Sequence, residues 1–227
     1  MWYIAFLVLK IPIVPSPIII YIKIFQIFKK SIAIHALYSM GRVFIGVFIS
    51  LILGVLLGYL MGYFKRIDKL LSPLVYFTYP VPKMALLPIV MLLFGLGEIS
   101  KIIMLALIII FQIIIAARDA VKAIPEEAYH SLHSLGASRL QIFKEIVVPA
   151  SFSEIITAIR LALGTAVSIL FFTETYGNEY GMGYYIMDSW MRVNYIEMYA
   201  GIVILSTIGV FIFILIDMID SYLCSWR

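Results

Sequence analysis

The sequence predicts an all-α integral membrane protein, and three observations carry that prediction. Of its 227 residues, 63% are hydrophobic and 13% charged, with a mean hydropathy of +1.07; so much apolar surface exceeds what one soluble core can hide. Apolar runs long enough for a bilayer recur along the chain with basic residues at their ends. One of those runs carries small residues at every fourth position, the pattern of close helix packing in membranes. The net charge of +4 is spread over Lys and Arg that stand singly or in short groups, which reads as membrane topology, and no nucleic-acid partner is expected. Cys224 is the single cysteine; it excludes an intrachain disulfide and a thiolate metal site and leaves the redox compartment open.

The elements follow in chain order. Residues 1–9 have no basic region ahead of the apolar run, so no cleavable signal peptide is expected. Trp2 to Leu9 is too short for the ~20 residues a bilayer requires, and Pro12, Pro15 and Pro17 stop it from simply continuing; a sixth helix that is shortened, or a start site placed late, is the expectation. Val43 to Phe64 is the clearest span, bounded by Arg42 and by Lys65, Arg66 and Lys69. Gly46, Ser50, Gly54, Gly58 and Gly62 form its small-residue stripe, which predicts a packed inner helix. Leu70 to Val81, broken by Pro73, Pro80 and Pro82, joins Met84 to Leu96, which contains Pro88, as a bent or interrupted crossing. Ile102 to Ala117 and Met198 to Ile216 are spans, and Ile155 to Thr173 is one if Arg160 is tolerated. Placing Lys65, Arg66, Lys69, Arg118, Lys122, Arg139 and Lys144 in the cytoplasm puts Arg227 inside as well. Glu98 and the tyrosine-rich loop from Glu174 to Glu197 then lie outside, together with Lys10, Lys23, Lys29 and Lys30.

Between two of the most apolar segments lies a polar stretch, 125–149. Pro125 suits a helix start, Glu126 and Glu127 complement the helix dipole, and Gly136 stands where a helix stops. Ser138 and Gln141 form a capping box for a second helix, whose apolar Leu140, Phe143, Ile146 and Val147 run until Pro149 stops it. An exposed turn carrying Leu135, Ala137, Leu140 and Phe143 must fold back on the protein or bury these residues in a partner.

This segment resembles the cytoplasmic signature of permease subunits of binding-protein-dependent ABC importers, in which a Glu-Ala-Ala triplet is followed by a fixed Gly and later an Ile-x-Leu-Pro group. Gly136 takes the Gly position, and Ile146, Val148 and Pro149 fall at the closing group, while His130, Ser131 and Leu132 replace the triplet. "YPVPKMALLPIVMLLFGLGEISKI" (Tyr79 to Ile102) and "IRLALGTAVSILFFTETYGNEYGMGYYI" (Ile159 to Ile186) are similar to signatures of the nitrate, sulfonate and taurine branch. The resemblance implies one permease domain over residues 1–227 with the type I importer fold. Five or six transmembrane helices are implied, the first truncated or atypical, in a multi-pass protein of the cell's inner membrane. It implies an ABC ATPase dimer, a second permease copy, in a homodimer, and an external solute-binding protein as partners, beside membrane lipid. The loop would be the coupling element, with Glu126, Glu127, His130, Leu135, Gly136, Ala137, Ser138, Leu140 and Phe143 meeting the ATPase. Either His130 or the pair Glu126 and Glu127 would replace the usual Glu. No cofactor is expected in this chain, ATP and Mg residing on the ATPase, since no phosphate-loop pattern occurs in the sequence. The implied solute is of the nitrate, sulfonate, taurine, bicarbonate or vitamin-precursor type.

Charged groups at membrane depth default to functional candidates. Lys83 either projects into a cavity at the helix break or snorkels to the interface. Arg160 lines the path or pairs with an acid, and Glu174 belongs to a gate, meets the binding protein or is simply solvated. His130 and His133 lie three residues apart on a helix without a third ligand nearby, which gives no metal pattern. Tyr176, Tyr180, Tyr184, Tyr185 and Trp190 read as an interfacial aromatic belt. No catalytic residue is assigned. An intramembrane enzyme using His130 and His133, active without an ATPase, and a non-transporting scaffold, indifferent to Gly136, are the alternatives.

Overall fold

The computed structural model describes residues 2–177 and 179–223, without the side chains of Ala5, His133 and Leu223. The expectations for Cys224, Arg227 and the His133 side chain therefore lie outside the described residues. Every regular element among the described residues is a helix. α1 is Trp2–Leu9, ended by Lys10 in a left-handed conformation (φ 46°), and α2 is Pro17–Ile27, with Pro17 in the first turn where its missing N–H costs nothing.

A π-helical turn, Phe28–Ile32, joins α2 to α3, Ala33–Tyr63. The resulting run of 47 residues would be roughly 70 Å long at 1.5 Å per residue, against a hydrocarbon core of about 30 Å, so only part of it can cross. The expected span from Val43 is present and extends back to Ala33. Sequence reading stops it at Arg42 because a charge marks a boundary; here Arg42 is buried among partners.

α4, Lys65–Thr78, and α5, Leu87–Phe94, flank a short 3₁₀ turn, Lys83–Leu86. The two arms, Lys65–Thr78 and Lys83–Phe94, are bent by 81°, the interrupted crossing that the prolines predict. α6 is Glu98–Lys122, α7 Glu126–Ser134, α8 Arg139–Ile142, α9 Val148–Glu174, α10 Met182–Met191 and α11 Tyr195–Leu223. Among the described residues four runs are long and apolar enough to cross a membrane, five if the bent pair is one crossing.

Pro149 does not stop the helix that begins at Arg139. The run continues through a π-helical turn, Phe143–Val147, into α9, giving 36 residues without interruption. Pro149 has no N–H for the Glu145 carbonyl, and its ring presses on it. The wider turn just before it, in which Val148 N–H reaches the Phe143 carbonyl, absorbs that defect. The segment expected as an outer loop, 174–197, is likewise not a plain loop, since α10 occupies its middle.

The chain divides into two compact units. The first gathers α1, α2, α3 as far as Ile45, α5, α6 as far as Leu105, α9 from Val167, α10, and α11 as far as Ile212. Its buried apolar side chains include Ile20, Leu105, Leu170 and Met182. The second unit takes the remaining parts of α3, α6, α9 and α11 with α4, α7 and α8. There the small-residue stripe meets α6. A Cβ on Gly54 would lie 2.9 Å from the Ile113 side chain, on Gly58 2.6 Å from Ala117 Cβ, and on Gly62 2.6 Å from Val121 Cβ. These contacts ascend together in fours, so the two helices run parallel with their backbones in close approach. Gly46 is buried, and the Ser50 hydroxyl reaches both its carbonyl and that of Ala106, at 2.8 and 3.1 Å.

Candidate functional site

Two groupings of residues, one in each unit, carry chemistry. In the second unit the polar stretch forms a capped turn. α7 ends at Ser134 and is followed by Gly136, whose φ of +76° is a conformation that a side chain would strain. Beyond it Ala137 N–H closes onto the Leu132 carbonyl at 3.1 Å. The capping box is formed: Gln141 N–H donates to Ser138 Oγ at 3.4 Å and Ser138 N–H to Gln141 Oε1 at 2.7 Å. Glu126, Glu127, His130, Leu135, Gly136, Ser138 and Leu140 are exposed and Ala137 is half-buried. Leu135 and Leu140, 81% and 64% exposed, are large apolar groups at the tip of a rigid polar element, which is how a docking surface looks.

Phe143 faces inward instead. Its ring meets Tyr59 edge-on at 5.4 Å, beside Ala117, Val121, Val147 and Ile155, with Tyr129 and Tyr63 packed against the same cluster. Tyr59 Oη and Ser151 Oγ are 2.8 Å apart. Burial, with Tyr63 close by, pushes the Tyr129 phenol up, so it stays neutral and acts by packing. Tyr59 grips the turn from α3, a role that sequence reading missed because the residue lies inside the glycine stripe and reads as filler.

Two of the three pathway candidates are held structurally in this unit. Lys83 is bonded to its own helix break. It is 8% exposed, and its Nζ donates to the carbonyls of Thr78 and Tyr79 at 3.1 and 2.9 Å while sitting 4.8 Å over the Phe111 ring. It thereby satisfies carbonyls freed where α4 ends. Arg160 pairs with Asp217 at 2.7 Å and Asp220 at 2.9 Å, tying α9 to α11. Asp68 binds Arg118 at 3.2 Å and Lys122 at 2.5 Å, tying α4 to the end of α6.

The first unit holds a buried charged network around Glu174, which is wholly buried and not solvated at an interface. Its carboxylate accepts from Arg42 Nη1 at 2.6 Å, from Ser39 Oγ at 2.7 Å and from Gly183 N–H at 2.8 Å. Arg42, 2% exposed, also donates to both oxygens of Glu98, at 2.5 and 2.6 Å. Lys101, 1% exposed, lies on the same helix as Glu98 and reaches the Leu96 carbonyl at 3.1 Å. Three backbone N–H groups at the start of α10 are capped by side chains from elsewhere: Gly181 by His35 Nδ1 at 3.1 Å, Met182 by Ser39 Oγ at 2.8 Å, and Gly183 by Glu174. A Cβ on Gly181 would lie 2.5 Å from Arg42 Nη1, and one on Gly183 2.5 Å from the Phe171 carbonyl, so the backbone approaches the ion pair as only glycine allows.

Tyr180, Tyr184 and Tyr185 surround His35 with ring centroids at 5.9, 5.9 and 5.3 Å. Burial pushes the Tyr185 phenol up, with Glu197 nearby adding to it. Tyr176 and Trp190 remain exposed, so the expected aromatic belt is divided between packing and surface. Among the described residues no group of three His, Cys, Asp or Glu is placed to hold a metal ion.

Known proteins resemble this chain in sequence and in fold. It is 28% identical over 158 residues to the taurine transport system permease protein TauC of Escherichia coli K12, covering 70% of this chain and 58% of that one. To the putative aliphatic sulfonates transport permease protein SsuC of Bacillus subtilis it is 29% identical over 163 residues, covering 72% and 59%. To the formylaminopyrimidine transport permease protein ThiX of Halalkalibacterium halodurans it is 28% identical over 215 residues, covering 95% and 86%. The chain thus spans less than two thirds of the length of the first two relatives. Among solved structures, a chain of the MetNI methionine ABC transporter in an inward-facing conformation superposes with a TM-score of 0.74 at 18% identity, covering 88% of this chain and 98% of that one. A second crystal form of it gives 0.69 at 15%, covering 83% and 94%. The fold is therefore the type I importer permease fold that the sequence resemblance implies. The family described as binding-protein-dependent transport system inner membrane component matches residues 46–223, well over half of the sequence, and the chain belongs to that family.

Proposed function

We propose that the chain is the permease subunit of an ATP-driven importer of the nitrate, sulfonate and taurine branch, moving a small solute across the inner membrane by alternating access. The observation that carries the proposal is the capped turn at Gly136, an element rigid in its backbone that presents Leu135 and Leu140 to a partner. Family membership supports it, as do the names of relatives that transport taurine, sulfonates and a pyrimidine. ATP hydrolysis belongs to a separate ATPase dimer seated on the turns of two permease copies, and an external binding protein delivers the solute.

The mechanical logic lies in the chain itself. The second helix of the turn continues into α9 without a break, and Tyr59 joins α3 to the same cluster. Displacement of the turn when the ATPase closes is passed to several spans at once, since packed helices shift as units.

The test is affinity purification of the tagged chain from its own membranes in mild detergent. An ABC ATPase co-elutes in about equal amount, and Gly136→Leu, which strains the left-handed turn, inserts normally but loses the ATPase and the stimulated ATP turnover. A chain that elutes alone, or a variant that stays coupled, rejects the reading.

A further inference from the structure

The network around Glu174 joins three helices and caps a fourth. Arg42 and Ser39 come from α3, Glu98 from α6, Glu174 from the end of α9, and the capped N–H groups from the start of α10. Glu174 and Arg42 are removed from solvent, at 0% and 2% exposure. Separating one such partner from the other leaves a buried charge uncompensated, far costlier than losing a surface pair. Gly177 and Gly181 are also tethered: at Gly177 a Cβ would lie 2.9 Å from Leu96 Cβ, and Gly181 is wedged against the ion pair. α10 in turn packs on α11, where a Cβ on Gly201 would meet Ile186 at 2.7 Å.

A short helix at the end of a crossing, joined by a glycine-rich loop, has the local chain flexibility to swing as a flap. The hydrogen bonds here oppose that. We propose that Glu174 is a positioning residue of the transport cycle: held by Arg42 and Ser39, its carboxylate keeps the first turn of α10 fixed to α3, so that the start of α3, the end of α9 and α10 move as one body. This rests on the permease reading above. On this view α10 is carried by the spans, and the outer opening widens by movement of whole helices instead of by release of α10.

The inference predicts a distance that does not change. In a Cys224→Ser background, spin labels at Leu37→Cys on α3 and Met191→Cys on α10, both exposed positions, report the separation of the two elements in the complex with its ATPase. The probes are the nucleotide-free complex and the complex trapped with ATP and vanadate. In the otherwise unaltered chain one narrow distribution is expected in both. Glu174→Gln, which keeps the shape and removes the charge facing Arg42, adds a second, displaced population in at least one state. This is roughly a tenfold rise over the small fraction that a paired buried carboxylate permits. Ser39→Ala, a gentler change that removes the hydroxyl serving both Glu174 and Met182 N–H, broadens the distribution in the same direction and serves if Glu174→Gln fails to insert.

A purely structural Glu174 would lower the yield or the melting temperature while leaving the surviving protein with the unaltered distribution in both states; that result overturns the proposal. So does an unaltered chain whose distance shifts on trapping. If no ATPase assembles, the permease reading falls and this inference with it. A complex that traps fully while α10 swings rejects the inference alone.

Discussion

Gly58 shows how much one residue decides in the second unit. A Cβ there would lie 2.6 Å from Ala117 Cβ and 2.7 Å from the Ile114 carbonyl, and one of those atoms is backbone, so α3 and α6 must separate to admit it. Gly58→Ala is expected to destabilise by about 1–3 kcal/mol, as overpacking does, and to lower the thermal unfolding midpoint in detergent. Ala117→Gly in the same chain removes one of the two clashes and recovers part of the loss. A double-mutant cycle that instead shows additivity would deny the contact. The stripe is legible in the sequence because spacing four on one helix is a local property. Arg42 is not: its partners Glu98 and Glu174 lie 56 and 132 positions away, and from sequence alone a lone basic residue before an apolar run marks the edge of a membrane span. Ser39 and His35 fail to show for the same reason, each looking like an ordinary polar residue near a helix start.

The element with the most consequence is the helix from Arg139 to Glu174. Its capping box and the glycine before it follow from residues three apart, and both are legible. Its continuation through Pro149 is not, because the π-helical turn that accommodates the proline has no sequence pattern of its own. That turn inserts one residue into the helical repeat, so everything before it is rotated by about 100° relative to α9. Pro149→Ala restores the N–H that would bond to the Glu145 carbonyl and lets the turn relax to regular α-helix. The expected result is a chain that inserts and unfolds as before while Leu140 and Phe143 are turned away from their positions. Coupling changes of 0.5–2 kcal/mol are ordinary for residues between two sites, so ATPase stimulation by this variant should fall by roughly 2- to 30-fold. Unchanged stimulation would mean that the register of α8 relative to α9 does not matter to the partner.

At the scale of the whole molecule, composition and apolar runs are enough to read the fold class and the crossings. The direction of each crossing rests on weaker ground, since Lys10, Lys23, Lys29 and Lys30 fall on the outer side and blunt the charge rule. Contacts within the units strengthen the assignment. α3 and α6 run parallel through Gly54, Gly58 and Gly62, and Asp68 binds Arg118 and Lys122, so the residues after α3 and the end of α6 share one side. The run from Arg139 to Glu174 is 36 residues, about 54 Å of helix against a core of about 30 Å, so its two ends lie on opposite sides. Those relations hold whichever side is inside, and the charge rule applied to Lys65, Arg66, Lys69, Arg139 and Lys144 predicts the cytoplasm for the turn at Gly136. Single cysteines in a Cys224→Ser background put this to a direct test in intact cells with a membrane-impermeant thiol reagent. Met191→Cys, at an exposed position, is expected to react at once, and Lys69→Cys and Leu135→Cys only after the membrane is opened. Reaction of Leu135→Cys from outside would place the turn beyond the reach of ATP and with it remove the coupling function, whereas the expected pattern leaves the turn on the one side where an ATPase can press on it.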